Sequence, residues 1–194
     1  MLQRKDDIME RTPHFFYALK LPQDAKAFLM RTSDRLRNEL PFNRWVHEED
    51  YHITLAFLGS ATKEQLEASL TNVARELTIH SPFSLTIQDF GVFGKGDSPR
   101  IFWARLEKEE KLLQLRNSVY QSCIQAGFKL ETREFQPHIT LARKWQGEQP
   151  FSKVFLTGNV PFTFQANEIV LYETHVEQTP KYEIKESFFL NKLC

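Results

Sequence analysis

His52-Ile53-Thr54-Leu55-Ala56 and His138-Ile139-Thr140-Leu141-Ala142 are the same five residues, 86 positions apart. An exact duplication in a chain of 194 residues points to two related halves rather than coincidence. Ile-Thr-Leu is β-branched and apolar, so each copy reads as a strand. Alternation along a strand puts His and Thr on one face, roughly 6.5–7 Å apart, and turns Ile and Leu to the other. Each copy therefore anchors itself through its aliphatic face and offers an imidazole beside a hydroxyl. Two such strands facing one another make a cleft containing two histidines.

Working outward, His14 to Leu21 is an apolar-aromatic run that reads as a buried strand ended by Pro22. Ala27, Met30, Leu36 and Leu40 have roughly helical spacing over Gln23–Leu40. Arg44-Trp45-Val46 is a short strand ahead of the first repeat strand, Tyr51–Leu58. Thr62 and Gln65 form a capping-box pattern for a helix over Lys63–Leu77. Phe83–Ile87 alternates like a strand, Gly91, Gly94 and Gly96 read as a loop, and Arg100–Leu106 alternates again. Glu109–Ala126 is a third amphipathic helix stopped by Gly127, and the second repeat strand runs to about Trp145. The remainder reads as β-rich: a weaker segment over Phe151–Leu156, then Phe162–Val176 and Tyr182–Leu190. Helices interspersed with neighbouring strands predict an α+β fold with antiparallel sheets. Residues 1–12 read as a polar leader, and 13–194 as one domain.

Composition narrows the function. Lys+Arg and Asp+Glu both number 25, which excludes a global basic field for duplex nucleic acid but not a few local cations around a small anion. Two cysteines, Cys123 and Cys194, make no disulfide framework and suit a reducing compartment. The first residues carry no apolar run and no later stretch is long enough to span a membrane, so a cytoplasmic protein is expected. Gly91-Val92-Phe93-Gly94 lacks the following Lys-Thr of a triphosphate-binding loop.

A histidine pair fits general acid–base catalysis, because imidazole populates both protonation states near neutrality. Thr54 and Thr140 would donate to a phosphoryl oxygen. Arg143 follows His138 by five residues, so alternation alone turns it away; a bend near Ala142 would return its guanidinium to the cleft for a bidentate phosphate contact. The matching position in the first copy is Phe57. One cation and one ring suit a nucleotide, phosphate on the first and base on the second. A single His-x-Thr is ordinary sheet surface, but packing does not require histidine at both outward positions. Zinc wants three or four ligands, and neither copy holds a Cys, Asp or Glu. No Gly-x-Ser-x-Gly elbow supports a serine nucleophile, and Cys123 falls on an apolar helix face. His14, His47, His80 and His175 lack a partner motif and read as surface or core polar groups. Phe16, Trp45 and Trp103 read first as core.

The paired motifs resemble the signature of the 2H phosphoesterase superfamily, and the longer strings resemble its LigT-like RNA 2′,3′-cyclic phosphodiesterase branch. Those strings are Phe16-Tyr17-Ala18-Leu19, Arg44-Trp45-Val46, His52 to Gly59, Pro137 to Arg143, and Leu171-Tyr172-Glu173-Thr174. The resemblance implies a bilobal α+β fold: two pseudo-symmetric lobes of antiparallel sheet, helices packed outside, the active cleft between them. It implies metal-independent, cofactor-free opening of a 2′,3′-cyclic phosphate at an RNA or oligonucleotide end to a 2′-phosphate. His52 and His138 would share the acid and base roles, and Thr54, Thr140 and Arg143 would hold phosphoryl oxygens. From the residues themselves, and not from the resemblance, Phe57 and Phe16 are candidates for contact with the substrate. A monomer with no membrane and no protein partner is expected. Action on 2′–5′ linked or other cyclic nucleotides, 2′–5′ RNA joining, and non-catalytic RNA-end binding are the alternatives.

Overall fold

A computed structural model describes residues 12–156 and 161–191. The polar leader, apart from its last residue, and Cys194 lie outside the described residues. The first apolar run forms β1 (His14–Lys20) and is covered on both sides, which explains why it does not alternate. Phe15, Tyr17 and Leu19 enter the main core, while Phe16 and Ala18 join Val170 and Tyr172 in a smaller cluster on the opposite face.

The chain continues through α1 (Gln23–Arg37), β2 (Phe42–Trp45), a 3-10 turn at Glu48–Asp50, β3 (His52–Gly59) and α2 (Lys63–Leu77). The Thr62–Gln65 capping box is formed in both directions. Then come β4 (Phe83–Gly94), β5 (Pro99–Leu106), α3 (Glu110–Gln125), β6 (His138–Trp145), a 3-10 turn at Lys153–Leu156, β7 (Phe162–Ala166), β8 (Glu168–Thr174) and β9 (Tyr182–Phe189). One sheet has the order β3-β1-β8-β9 and the other β2-β6-β5-β4-β7. Their pairings are antiparallel, as expected.

Three local expectations are corrected. The glycines from Gly91 do not open a loop; β4 runs through to Gly94, because Gly91 lies under the Trp103 indole, which an added Cβ would meet at 2.3 Å. The segment before Leu156 is a 3-10 turn, not a strand. Phe162–Val176 is two strands, not one: β7 pairs with β4, and after Asn167 the chain enters the other sheet as β8 beside β1. Thus the sheets exchange strands between sequence halves. β2, from the first half, lies beside β6, and the C-terminal pair β8–β9 completes the sheet begun by β1 and β3. A single continuous core contains Leu19, Ile53 and Leu171 of one sheet with Leu85, Phe102 and Ile139 of the other. Among the described residues no helix is long and apolar enough to cross a membrane.

Candidate active site

The two repeat strands meet where the sheets approach one another, β3 from one sheet and β6 from the other. Each contains the same irregularity. In β3, Tyr17 stands opposite Ala56 and Ala18 opposite Thr54, leaving Leu55 as an extra residue. In β6, Phe102 stands opposite Ala142 and Trp103 opposite Thr140, leaving Leu141 extra. A bulge of this kind resets the alternation downstream. Leu55 and Ala56 are therefore both buried, as are Leu141 and Ala142, and the fifth residue after each histidine returns to the histidine face. Arg143 reaches the cleft by this route, and Lys144, at φ +61°, bends the strand directly after it. Phe57 is delivered equivalently and is 57% exposed.

Each imidazole is oriented by the backbone two residues upstream. His52 Nδ1 lies 2.7 Å from the Asp50 carbonyl oxygen and His138 Nδ1 lies 2.8 Å from that of Gln136. A carbonyl only accepts, so Nδ1 carries the hydrogen in both and the neutral ring presents Nε2 as a base. Thr54 Oγ1, 3.1 Å from His52 Nε2, donates to it. Aromatic rings wall the outer sides: Phe16 and Tyr182 stand 4.9 and 5.2 Å from the His52 ring, Phe93 and Trp103 5.0 and 5.8 Å from that of His138. Burial pushes the His52 imidazole down to about 4, with Arg143, and His138 when it is protonated, acting in the same direction. Burial also lowers His138, again assisted by Arg143. Both are thus held neutral at pH 7.

Two cavities flank these side chains. The smaller, about 310 Å³, is bordered by His52, Thr140 and Arg143 together with Arg44, Lys181 and Tyr182. The larger, about 1000 Å³, is bordered by Thr54, Phe57 and His138. Each threonine thus shares a cavity with the other motif's histidine, as expected for two repeats related by an approximate two-fold. Phe16, only 3% exposed, sits behind His52 with Tyr172 and Tyr182. Its ring has no open face for a nucleobase and packs against the imidazole.

Several contributors are invisible to motif reading. Arg44 stands opposite Arg143 across β2 and β6. Asp50 is 5% exposed, and its carboxylate accepts the Lys181 and Tyr182 backbone N–H groups at 2.9 and 3.3 Å. The same residue thus holds His52 through its carbonyl and the β8–β9 connection through its side chain. Burial raises its carboxyl above the usual range, opposed by those two N–H donors. Burial lowers the Lys181 ammonium, with Arg44 adding to the effect. The one sequence signal was position: Asp50 lies two residues before His52, as Gln136 does before His138. Among the described residues the grouping with metal-ligand spacing is Glu173, His175 and Glu183, which includes neither motif histidine. His175 is there engaged with Glu183 at 2.9 Å.

A family model for the 2′-5′ RNA ligase superfamily matches residues 22–178. An RNA 2′,3′-cyclic phosphodiesterase of Geobacillus stearothermophilus is 45% identical over 177 residues, covering 90% of this chain and 56% of that protein. Another of the same name, from Bacillus subtilis, is 38% identical over 181 residues, covering 88% and 93%. This chain therefore spans little more than half the length of the first relative and nearly all of the second. Among solved structures, Escherichia coli LigT complexed with 3′-AMP superposes with a TM-score of 0.76 at 24% identity, covering 93% of this chain and 99% of that one. That likeness establishes the bilobal fold, and the family match covers both His-x-Thr strands. The chain belongs to the 2′-5′ RNA ligase superfamily.

Proposed function

We propose that this protein opens 2′,3′-cyclic phosphates at RNA or nucleotide ends, leaving a 2′-phosphate, without a metal or other cofactor. The carrying observation is a pair of neutral imidazoles on contacting strands, each locked with Nδ1 on a carbonyl and each sharing a cavity with the other motif's threonine, Arg143 beside His52. The naming of the relatives as RNA 2′,3′-cyclic phosphodiesterases supports the substrate class.

The anionic phosphate first docks on Arg143 and the threonines, and its charge lets one imidazole take up a proton. The other imidazole accepts a proton from water through Nε2 as the water oxygen bonds to phosphorus. The P–O3′ bond breaks, and the imidazolium returns its proton to O3′. Arg143, Thr54 and Thr140 hold the charge that builds on the non-bridging oxygens. Phe57 offers its exposed face to the terminal base. The same displacement, with an RNA 5′ hydroxyl in place of water, forms the P–O5′ bond as P–O3′ breaks and would join ends through a 2′–5′ bond; a cavity on each side of the motif residues favours that second reading. We further infer one domain acting as a monomer, supported by a continuous core and by a site assembled within one chain.

The test is hydrolysis of a 2′,3′-cyclic mononucleotide in EDTA. Wild type turns over undiminished by the chelator, and His52→Ala and His138→Ala each lower kcat by roughly 10²–10⁴. Undiminished turnover in both variants would overturn the proposal, and a 3′-phosphate product would overturn the leaving group.

A further inference from the structure

The larger cavity extends beyond Phe57 and His138 to a second set of side chains from α3 and the connection that follows it. Arg116, Tyr120 and Phe135 border this end, with Lys129 beside them. The Arg116 guanidinium carbon lies 4.1 Å from the Tyr120 ring centre and 5.2 Å from that of Phe135. Two rings thus fix the group as a flat, oriented donor. Its Nε is buried and has no hydrogen-bond partner, and among the described residues no carboxylate pairs with it. Glu131, which borders the same cavity, is taken by Arg133 at 2.7 Å. Leaving that donor desolvated is costly, and with no carboxylate partner among the described residues the guanidinium keeps its charge for an anion in the cavity that it borders. The cavity, at about 1000 Å³, also lies at the top of the range for small-molecule sites, roughly 300–1,000 Å³, and exceeds what one nucleotide fills.

We propose that Arg116, held between Tyr120 and Phe135, binds the phosphodiester one nucleotide upstream of the cyclic phosphate. The site therefore takes RNA ends of two or more residues in preference to cyclic mononucleotides. This rests on the reading above, in which the histidine cleft takes the cyclic phosphate. The terminal base lies against Phe57, the next phosphate reaches Arg116, and the tyrosine and phenylalanine rings leave an edge for the second base.

The experiment compares a 2′,3′-cyclic mononucleotide with a dinucleotide bearing the same end. Arg116→Gln raises KM for the dinucleotide about tenfold or more, the loss expected for one charge-assisted contact. Its kcat, and all constants for the mononucleotide, stay at wild-type values. Arg116→Lys, which keeps the charge but not the planar fork, falls between them and carries the test if the glutamine variant melts early. A binding arm uses the 2′-phosphorylated mononucleotide and dinucleotide without turnover. There Arg116→Gln weakens the dinucleotide alone and lowers the slope of log Kd against log salt by about 0.7, one single-strand phosphate contact. Equal effects on both ligands, or none on the dinucleotide, overturn the subsite. Absence of turnover with either substrate would instead count against the hydrolytic reading, and the binding arm would still decide the subsite.

Discussion

Single residues set the protonation chemistry. His52 and His138 are both pushed below the ordinary imidazole value, chiefly by burial, so the free protein holds two bases and no acid at neutral pH. In the proposed mechanism a bound phosphate anion supplies the field that charges one of them. The pH profile of kcat is therefore expected to be a bell lying at higher pH than that of kcat/KM, since the first reports the complex and the second the free enzyme. Coincident profiles would argue against charging on binding. The same shift has a stability consequence. His52 titrates near 4 when folded and near 6.5 when unfolded, so between those values the unfolded chain binds more protons and folding loses stability as pH falls. The Tm advantage of wild type over His52→Gln should therefore shrink on acidification from pH 7 to 4 and be level below that. Arg143→Lys keeps the charge and loses the bidentate fork, and a KM increase of roughly tenfold is expected at nearly unchanged fold.

Elements decide where those side chains point. The extra residue in each repeat strand, Leu55 or Leu141, converts a fifth-residue spacing from the wrong face to the right one. It is part of the duplicated string, yet nothing in an apolar run distinguishes a bulge from a regular strand; the partner strand's register creates it. Gly91 shows the reverse case, a glycine that looked like a loop but serves close packing. Its Cβ would meet Trp103, which borders His138. Gly91→Ala should cost about 1–3 kcal/mol in chemical denaturation and lower kcat by displacing the indole. The β8–β9 connection depends similarly on Asp50. Asp50→Ala removes the acceptor for the Lys181 and Tyr182 N–H groups, about 1.5–3 kcal/mol per charge-assisted bond at most, while leaving the carbonyl that orients His52. Loss of stability with KM raised more than kcat lowered is the expected pattern.

In the whole molecule, repeat boundaries and lobe boundaries differ. β1 is flanked by β3 from its own half and β8 from the C-terminal end, and β6 is flanked by β5 and by β2 from the first half. Neither half can complete its sheet alone. A fragment of residues 12–82 is expected to show no cooperative thermal transition, because β1 would lose β8 and β2 would lose β6. A cooperative melt of that fragment would refute the interdependence. The exchange also serves chemistry: it ties β8–β9, carrying Lys181 and Tyr182 at its turn, to the His52 strand, and brings Arg44 opposite Arg143.

Periodicity and composition, with no partner in view, determined the three helices, most strands, the antiparallel α+β class and both His-x-Thr pairs. Each of these rests on interactions within about a dozen neighbouring residues: helical spacing, a capping box at Thr62, alternation over Phe83–Ile87, and chemistry carried by five duplicated residues. Only the tertiary structure decided that Arg143 faces the cleft, that Phe16 backs His52, that Phe162–Val176 divides between two sheets, and that Asp50, Arg44 and Lys181 border the histidines. Those outcomes depend on register across strands far apart in sequence and on which ring covers which glycine. Such long-range geometry leaves no mark in local pattern, because it is a property of pairs of segments rather than of either one.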